Sequence, residues 1–125
     1  MSSLSETNQR KLGNTGESLA RSWLESQGYV CLAQNVYTRQ GELDLVMQEG
    51  ETLVFVEVKL RRSARQGSPL EAITPLKQSR LIQAARYYLF KHPHQGPLRF
   101  DALGLQKQSD GTLVYTHIKN AIQSD

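Results

Sequence analysis

Between Tyr29 and Leu60 the chain carries three strand-like runs separated by only a few residues, a spacing that leaves little room for anything but an antiparallel meander. The runs are Tyr29 to Thr38, Glu42 to Gln48 and Thr52 to Leu60, with Gln40-Gly41 and Glu49-Gly50-Glu51 as turns. The second and third runs hold charges where a core is expected. In Gly41-Glu42-Leu43-Asp44-Leu45-Val46, Asp44 shares a strand face with Glu42 and Val46. In Phe55-Val56-Glu57-Val58-Lys59, Glu57 and Lys59 share one, because strand residues two apart point the same way. Charged groups are seldom fully buried without partners. An i,i+2 pair on a solvated face is one explanation. The other is a hairpin that sets Asp44 and Glu57 side by side, which is repulsive unless a cation or a proton lies between them.

The remaining segments frame this hairpin. Residues 1–10 are polar and aperiodic and read as a mobile tail, with residues 11–125 as one domain. From about Asn14 to Gln27, Gly16, Leu19, Ala20, Trp23 and Leu24 recur at helical spacing, and Gly28 is a natural stop. Glu17 falls near Leu24 at the edge of this apolar stripe, so its carboxylate can turn inward. Asn14-x-x-Glu17 also resembles a capping box, and the local sequence leaves both readings open. Arg61 to Leu70 holds Gly67, Ser68 and Pro69 among bases and reads as an exposed, mobile loop. Thr74-Pro75 is an N-cap and first-turn pair for a second helix, with Leu81, Ala84, Ala85, Tyr88 and Leu89 as its apolar stripe and an end before His92-Pro93. Leu98 to Leu105 and Thr112 to Ile118 are two further strands around a Ser109-Asp110-Gly111 turn. The order is αβββαβ plus one C-terminal strand. A helical crossover between strands three and four lets them run parallel, giving an α/β fold with a mixed sheet flanked by helices.

Charge narrows the function. The chain's net charge is +3, yet Lys59, Arg61, Arg62, Arg65, Lys77, Arg80, Arg86 and Lys91 stand against Glu71 alone between residues 59 and 91, so this segment is +7 and the remainder −4. Such a concentration fits a polyanion-binding face, or else a solvated loop and helix surface. Cys31 is the only cysteine, which excludes an internal disulfide and a thiolate cluster; it reads as a small core hydrophobe. His92-Pro93-His94 lacks further metal ligands and reads as a helix end. With no apolar run of about 18 residues and no leader pattern, the protein is expected to be cytoplasmic.

The acids and the lysine suit one chemistry. Hard cations such as Mg²⁺ take oxygen ligands and keep several waters, so Asp44 and Glu57 suffice as a carboxylate pair, with the Val58 backbone carbonyl as a further ligand if the strand edge opens. Lys59 would then orient or help deprotonate a water and neutralise developing charge. An inward Glu17 would bind through water or hold a second ion. The bases nearby, Arg61, Arg62 and Arg65 after the strand and Lys77 and Arg80 at the helix start, point to a nucleic-acid phosphodiester, recognised by backbone shape and charge. Tyr87, Tyr88 and Phe90 read as core or helix surface.

Taken together, Gly16-Glu17, Gln34-Asn35, Thr38-Arg39-Gln40-Gly41-Glu42-Leu43-Asp44-Leu45-Val46, Phe55-Val56-Glu57-Val58-Lys59, Leu76-Lys77, Ala84-Ala85 and Arg99-Phe100-Asp101 resemble the YraN family, itself similar to Holliday-junction resolvases of the PD-(D/E)xK nuclease superfamily. The resemblance covers about residues 13 to 104. It implies a restriction-endonuclease-like core and a Mg²⁺- or Mn²⁺-dependent endonuclease acting on DNA, including branched DNA. It also implies metal ligation by Asp44 and Glu57, catalytic roles for Lys59 and Glu17, and a homodimer, since a four-way junction presents paired strands. Arg39 within the motif joins the bases expected to contact nucleic acid. Leu43 stands where the superfamily often has proline, a position that does no chemistry. Asp101 has no established nuclease role and is expected to pair with Arg99 or another base. A nucleic-acid-binding or protein-interaction module that keeps this fold without turnover is the rival expectation, and a small-molecule metallohydrolase is a third.

Overall fold

A computed structural model describes residues 16–61 and 73–122. The polar tail over residues 1–10, the Asn14 end of the capping box, and Arg62 and Arg65 of the basic loop lie outside the described residues.

Helix α1 covers residues 16–26 and closes through hydrogen bonds from Gln27, Gly28 and Tyr29 back to Leu24 and Glu25. Gly28 takes φ +96°, a left-handed conformation that glycine adopts without a Cβ penalty, so the chain reverses there. Strands β1 (Val30–Tyr37), β2 (Glu42–Glu49) and β3 (Thr52–Arg61) follow as the expected meander. Helix α2 (Pro75–Lys91) then crosses over, its start fixed by Thr74, whose side chain accepts from the Lys77 amide, and by Pro75 in the first turn. Strand β4 (Leu98–Lys107) runs parallel to β3, and β5 (Leu113–Ile118) returns antiparallel. The sheet order is β1-β2-β3-β4-β5, a mixed sheet with one parallel pair. The α/β class, the αβββαβ order and the extra strand are therefore as the sequence indicates.

The sheet separates two apolar layers. On one side Leu81, Ala84, Ala85 and Tyr88 of α2 pack with Leu43, Val46, Phe55 and Phe100; on the other Ala20 and Leu24 of α1 pack with Leu45, Met47, Val54, Val56 and Leu103. Cys31 and Trp23 border the α1 layer, and Trp23 stacks on Tyr115 of β5 with ring centroids 5.2 Å apart. Leu19 is the exception in the α1 stripe, being exposed at its outer border. The triplet His92-Pro93-His94 ends the second helix, as expected; the His92 ring lies tilted against Tyr88, and His94 bonds to the Glu51 carbonyl in a turn. No helix among the described residues is long and apolar enough to cross a membrane.

Asp101 is the most deeply buried acid, with 0% exposure. Its carboxylate accepts from Arg99 at 2.8 and 3.0 Å, from the Asn120 amide at 2.9 Å, and lies 2.8 Å from His117 Nε2. Arg99 also reaches Glu49 and the Tyr29 hydroxyl. Burial acts against the Asp101 charge, but the hydrogen bonds from His117, Arg99 and Asn120 outweigh it and hold the carboxyl below its ordinary value. A buried charge so fully partnered ties β4 to β5 and to the end of β2.

Candidate active site

The ladder between β2 and β3 ends with Leu45 opposite Val56, so Asp44 and Glu57 are the next residues of the two strands. Beyond that pair Asp44 replaces backbone with side chain: its Oδ2 accepts the Val58 amide at 2.9 Å. The two polar groups of one strand residue face the same neighbour, so the Val58 carbonyl is also turned toward this opening. On the other flank of β2, Asn35 interrupts β1 with φ +55°, between the pairs Gln34–Leu45 and Val36–Leu43. Asparagine is the side chain that best tolerates this left-handed region, and here it favours the charged form of the neighbouring Glu17 carboxylate, against the burial that raises its pKa.

Four carboxylates and two lysines converge at this strand end. Ligand oxygens of Glu17, Glu42 and Asp44 all lie within 4.8 Å of one another. Glu57, only 6% exposed, has its Oε1 3.2 Å from Lys59 Nζ and 2.9 Å from Lys77 Nζ. Asp44 and Glu57 are neighbours across the end of the β2–β3 ladder and Glu17 lies beside Asp44, but the three-acid group is completed by Glu42 and leaves out Glu57, whose carboxylate is paired to the two lysines. The solvated-face explanation for Glu57 and Lys59 does not hold, because Glu57 is buried and Lys59 nearly so.

Close packing of acids shifts their protonation. Burial, then the neighbouring Glu57 carboxylate, pushes Asp44 up to about 8, against the opposing pull of the Val58 amide. Burial and the nearby Glu42 carboxylate raise Glu17 to about 7. Burial and Glu57 raise Glu42 as well, with Lys77 acting against them. Lys59 is lowered, first by burial and then by the adjoining Lys77, with Glu57 opposing. Burial also disfavours the Lys77 charge, but contacts with Lys59 and Glu57 raise it overall. A cation would relieve this repulsion by supplying positive charge where four acids face two lysines. The residues also fit one chemically: all donors are hard oxygens, and Glu17 Oε2 is buried with no hydrogen-bond partner among the described residues.

The site opens into a cleft of about 470 Å³ lined by Glu42, Asp44, Glu57, Lys77, Arg80 and, at its rim, Leu76. Two residues here were not singled out for the site from the sequence. Glu42 shares the strand face of Asp44, and the two-residue period was the signal for it. Asn35 stands in the Gln34-Asn35 phrase of the family resemblance, but its chemistry gives no local signal, because its place depends on a strand irregularity. Lys77, expected as a phosphate contact, is instead paired to Glu57. Arg80 lines the cleft, Arg39 is exposed in the β1–β2 turn outside its lining, and Arg61 ends β3 opposite Gln106.

Comparison with known proteins finds a family match over most of the chain. Residues 16–105 match the uncharacterised protein family UPF0102, a span that includes every acid and lysine of the site. The chain is 40% identical over 118 residues to a UPF0102 protein of Alcanivorax borkumensis, covering 93% of this chain and 94% of that one. It is 47% identical over 113 residues to one from Syntrophomonas wolfei, covering 90% and 97%, and 43% identical over 116 residues to one from Symbiobacterium thermophilum, covering 92% and 98%.

Proposed function

The chain belongs to the UPF0102 family, and from that premise we propose that it is a metal-dependent endonuclease that hydrolyses DNA phosphodiesters, with branched, Holliday-junction-like DNA as its first candidate substrate. The observation that carries this reading is the convergence of Glu17, Glu42 and Asp44 ligand oxygens beside a Glu57–Lys59–Lys77 cluster, with Glu42, Asp44, Glu57 and Lys77 lining an open cleft.

Asp44, Glu57 and the Val58 carbonyl would hold a Mg²⁺ or Mn²⁺ ion, with Glu17 and Glu42 binding directly or through water. A cation bound there makes its water more acidic and shields the charge that gathers on a phosphate under attack. Lys59 Nζ orients the attacking water and neutralises charge on the phosphoryl oxygens. Lys77 Nζ, at the same carboxylate but more exposed than Lys59, would bind a phosphate oxygen. Arg80 extends the phosphate contacts out of the cleft.

The test incubates wild type and Glu57→Ala with Mn²⁺ or Mg²⁺ and labelled junction, flap, duplex and single-stranded DNA. The nuclease reading expects wild type to cut at least one of them and Glu57→Ala none. If neither cuts and both bind with equal affinity and a steep salt dependence, the protein is a binding module on a nuclease-like fold. A small-molecule hydrolase would show no salt-dependent DNA binding at all. Homodimer formation belongs to the same proposal and is read by sedimentation with and without junction DNA.

A further inference from the structure

The outer face of α2 carries features that the carboxylate site does not use. Leu76, Arg80, Gln83, Tyr87 and Phe90 follow one another at steps of three and four, so they form a single stripe along the helix. The stripe begins in the carboxylate cleft at Leu76 and Arg80 and passes into a second groove of about 320 Å³, lined by Gln40, Gln83, Arg86 and Tyr87. One turn borders both grooves, through Gly41 on the first and Gln40 on the second. That turn lies against the helix backbone: a Cβ on Gly41 would stand 3.3 Å from the Arg80 carbonyl oxygen.

Charge and exposure say what the stripe suits. Helix α2 carries Lys77, Arg80, Arg86 and Lys91 and no acid. Unlike Tyr88, which is buried, Tyr87 is 42% exposed and Phe90 84% exposed. Lys91 Nζ sits 5.2 Å over the Tyr87 ring centroid. Spaced cations alone suit any polyanion, and an intact duplex keeps its bases stacked on one another. Cations that follow one another with an exposed ring along one helix face fit an unpaired strand, whose phosphates meet the basic side chains while a nucleobase stacks on the ring. An apolar protein segment fits less well, because Arg80, Arg86 and Lys91 break up the apolar surface.

We infer that the α2 stripe from Arg80 to Lys91 is a binding track for an unpaired nucleic-acid strand, with Tyr87 as its stacking platform and Arg80 and Arg86 as its phosphate contacts. The inference rests on the nuclease reading and narrows its substrate: branched DNA with a single-stranded arm beside the bond to be cut, such as a flap, ahead of a fully paired four-way junction. The experiment measures binding without cleavage, by fluorescence anisotropy in EDTA, using the full chain with Glu57→Gln as parent. Labelled single-stranded DNA and a blunt duplex of the same sequence are the probes. Adding Tyr87→Ala should weaken single-strand binding roughly tenfold or more, and change duplex binding by less than about twofold. Tyr87→Phe should retain the parent affinity, and Arg86→Gln should reduce the salt slope on the single strand by about 0.7. Equal loss on both probes with Tyr87→Ala, or no loss on the single strand, overturns the inference. Because no cleavage is read, a negative result here is separate from failure of the nuclease reading, which is judged by cutting alone.

Discussion

Lys77 Nζ lies closer to Glu57 Oε1, at 2.9 Å, than does Lys59 Nζ, at 3.2 Å, although Lys59 is only two residues away in the same strand. The cause is the position of the α2 start. Thr74 caps the helix and Pro75 fixes its first turn, so Lys77 reaches the middle of β3, where the ladder with β2 ends and the Glu57 carboxylate lies. Glu57 thus receives one ammonium from its own strand and one from the crossover helix.

The two lysines should separate by kinetics. Lys59→Met is expected to lower single-turnover DNA cleavage by about 10²-fold or more, as removal of a group that stabilises transition-state charge does. Lys77→Met should instead tighten Mn²⁺ binding, by up to about fivefold for loss of a partly exposed competing charge, and weaken DNA binding. Isothermal titration with Mn²⁺ and stopped cleavage time courses check this pair; equal behaviour of the two variants would show that the lysines do not have distinct roles.

Metal binding should depend on pH across the neutral range. Asp44 is raised to about 8 and Glu17 to about 7, so each favours the fold when protonated. Their stabilising contribution is full below the ordinary carboxylate range and is lost as pH rises through about 7 to 8. In EDTA the melting temperature should therefore fall between pH 6 and pH 8.5, roughly the window of those two groups. Metal ligands must be deprotonated, so Mn²⁺ should raise the melting temperature little near pH 5.5 and clearly near pH 8.5, at roughly the two ends of the same window. A metal-induced shift that is flat with pH would contradict the assignment of these acids.

Asp44→Asn isolates the charge from the geometry. The Asn amide oxygen can still accept the Val58 amide that Asp44 now holds at 2.9 Å, so the strand opening is kept. Removing a buried acid that burial and Glu57 disfavour should raise the melting temperature in EDTA at pH 8 and abolish the response to Mn²⁺. Destabilisation with retained Mn²⁺ binding would place the ion elsewhere.

Much of this was legible from periodicity. The two-residue alternation in β2 and β3 put Asp44, Glu57 and Lys59 at one place, and the close turns fixed the meander. Glu17 was visible as a border residue of α1 but undecided, because turning inward depends on partners from other strands, Glu42, Asp44 and Asn35. The position of Lys77 could not be read from a helix alone, since it depends on where the crossover lands on the sheet. Asn35 was hidden for a related reason: a left-handed residue in mid-strand is a product of pairing, not of local preference.

Asp101 should matter to the fold and not to the chemistry. Asp101→Ala leaves the Arg99 guanidinium and His117 without their common partner in a site with 0% exposure at the acid. Breaking a buried, hydrogen-bonded charge pair costs about 3–5 kcal/mol. Urea unfolding should show a loss of that order, while cleavage per folded molecule stays within about twofold, a change of well under 1.4 kcal/mol in barrier height. A folded Asp101→Ala protein that no longer cuts would move Asp101 into the active site.

The most direct measurement is single-turnover cleavage of labelled branched and single-stranded-arm DNA in Mn²⁺, by wild type beside Glu57→Gln, at protein concentrations that saturate binding of both. The account predicts that wild type cuts and that EDTA stops it, while Glu57→Gln binds as tightly and cuts at least about 10²-fold more slowly. Equal cutting by both proteins, or none by wild type at saturation, would contradict a phosphodiesterase built on Asp44, Glu57 and Lys59.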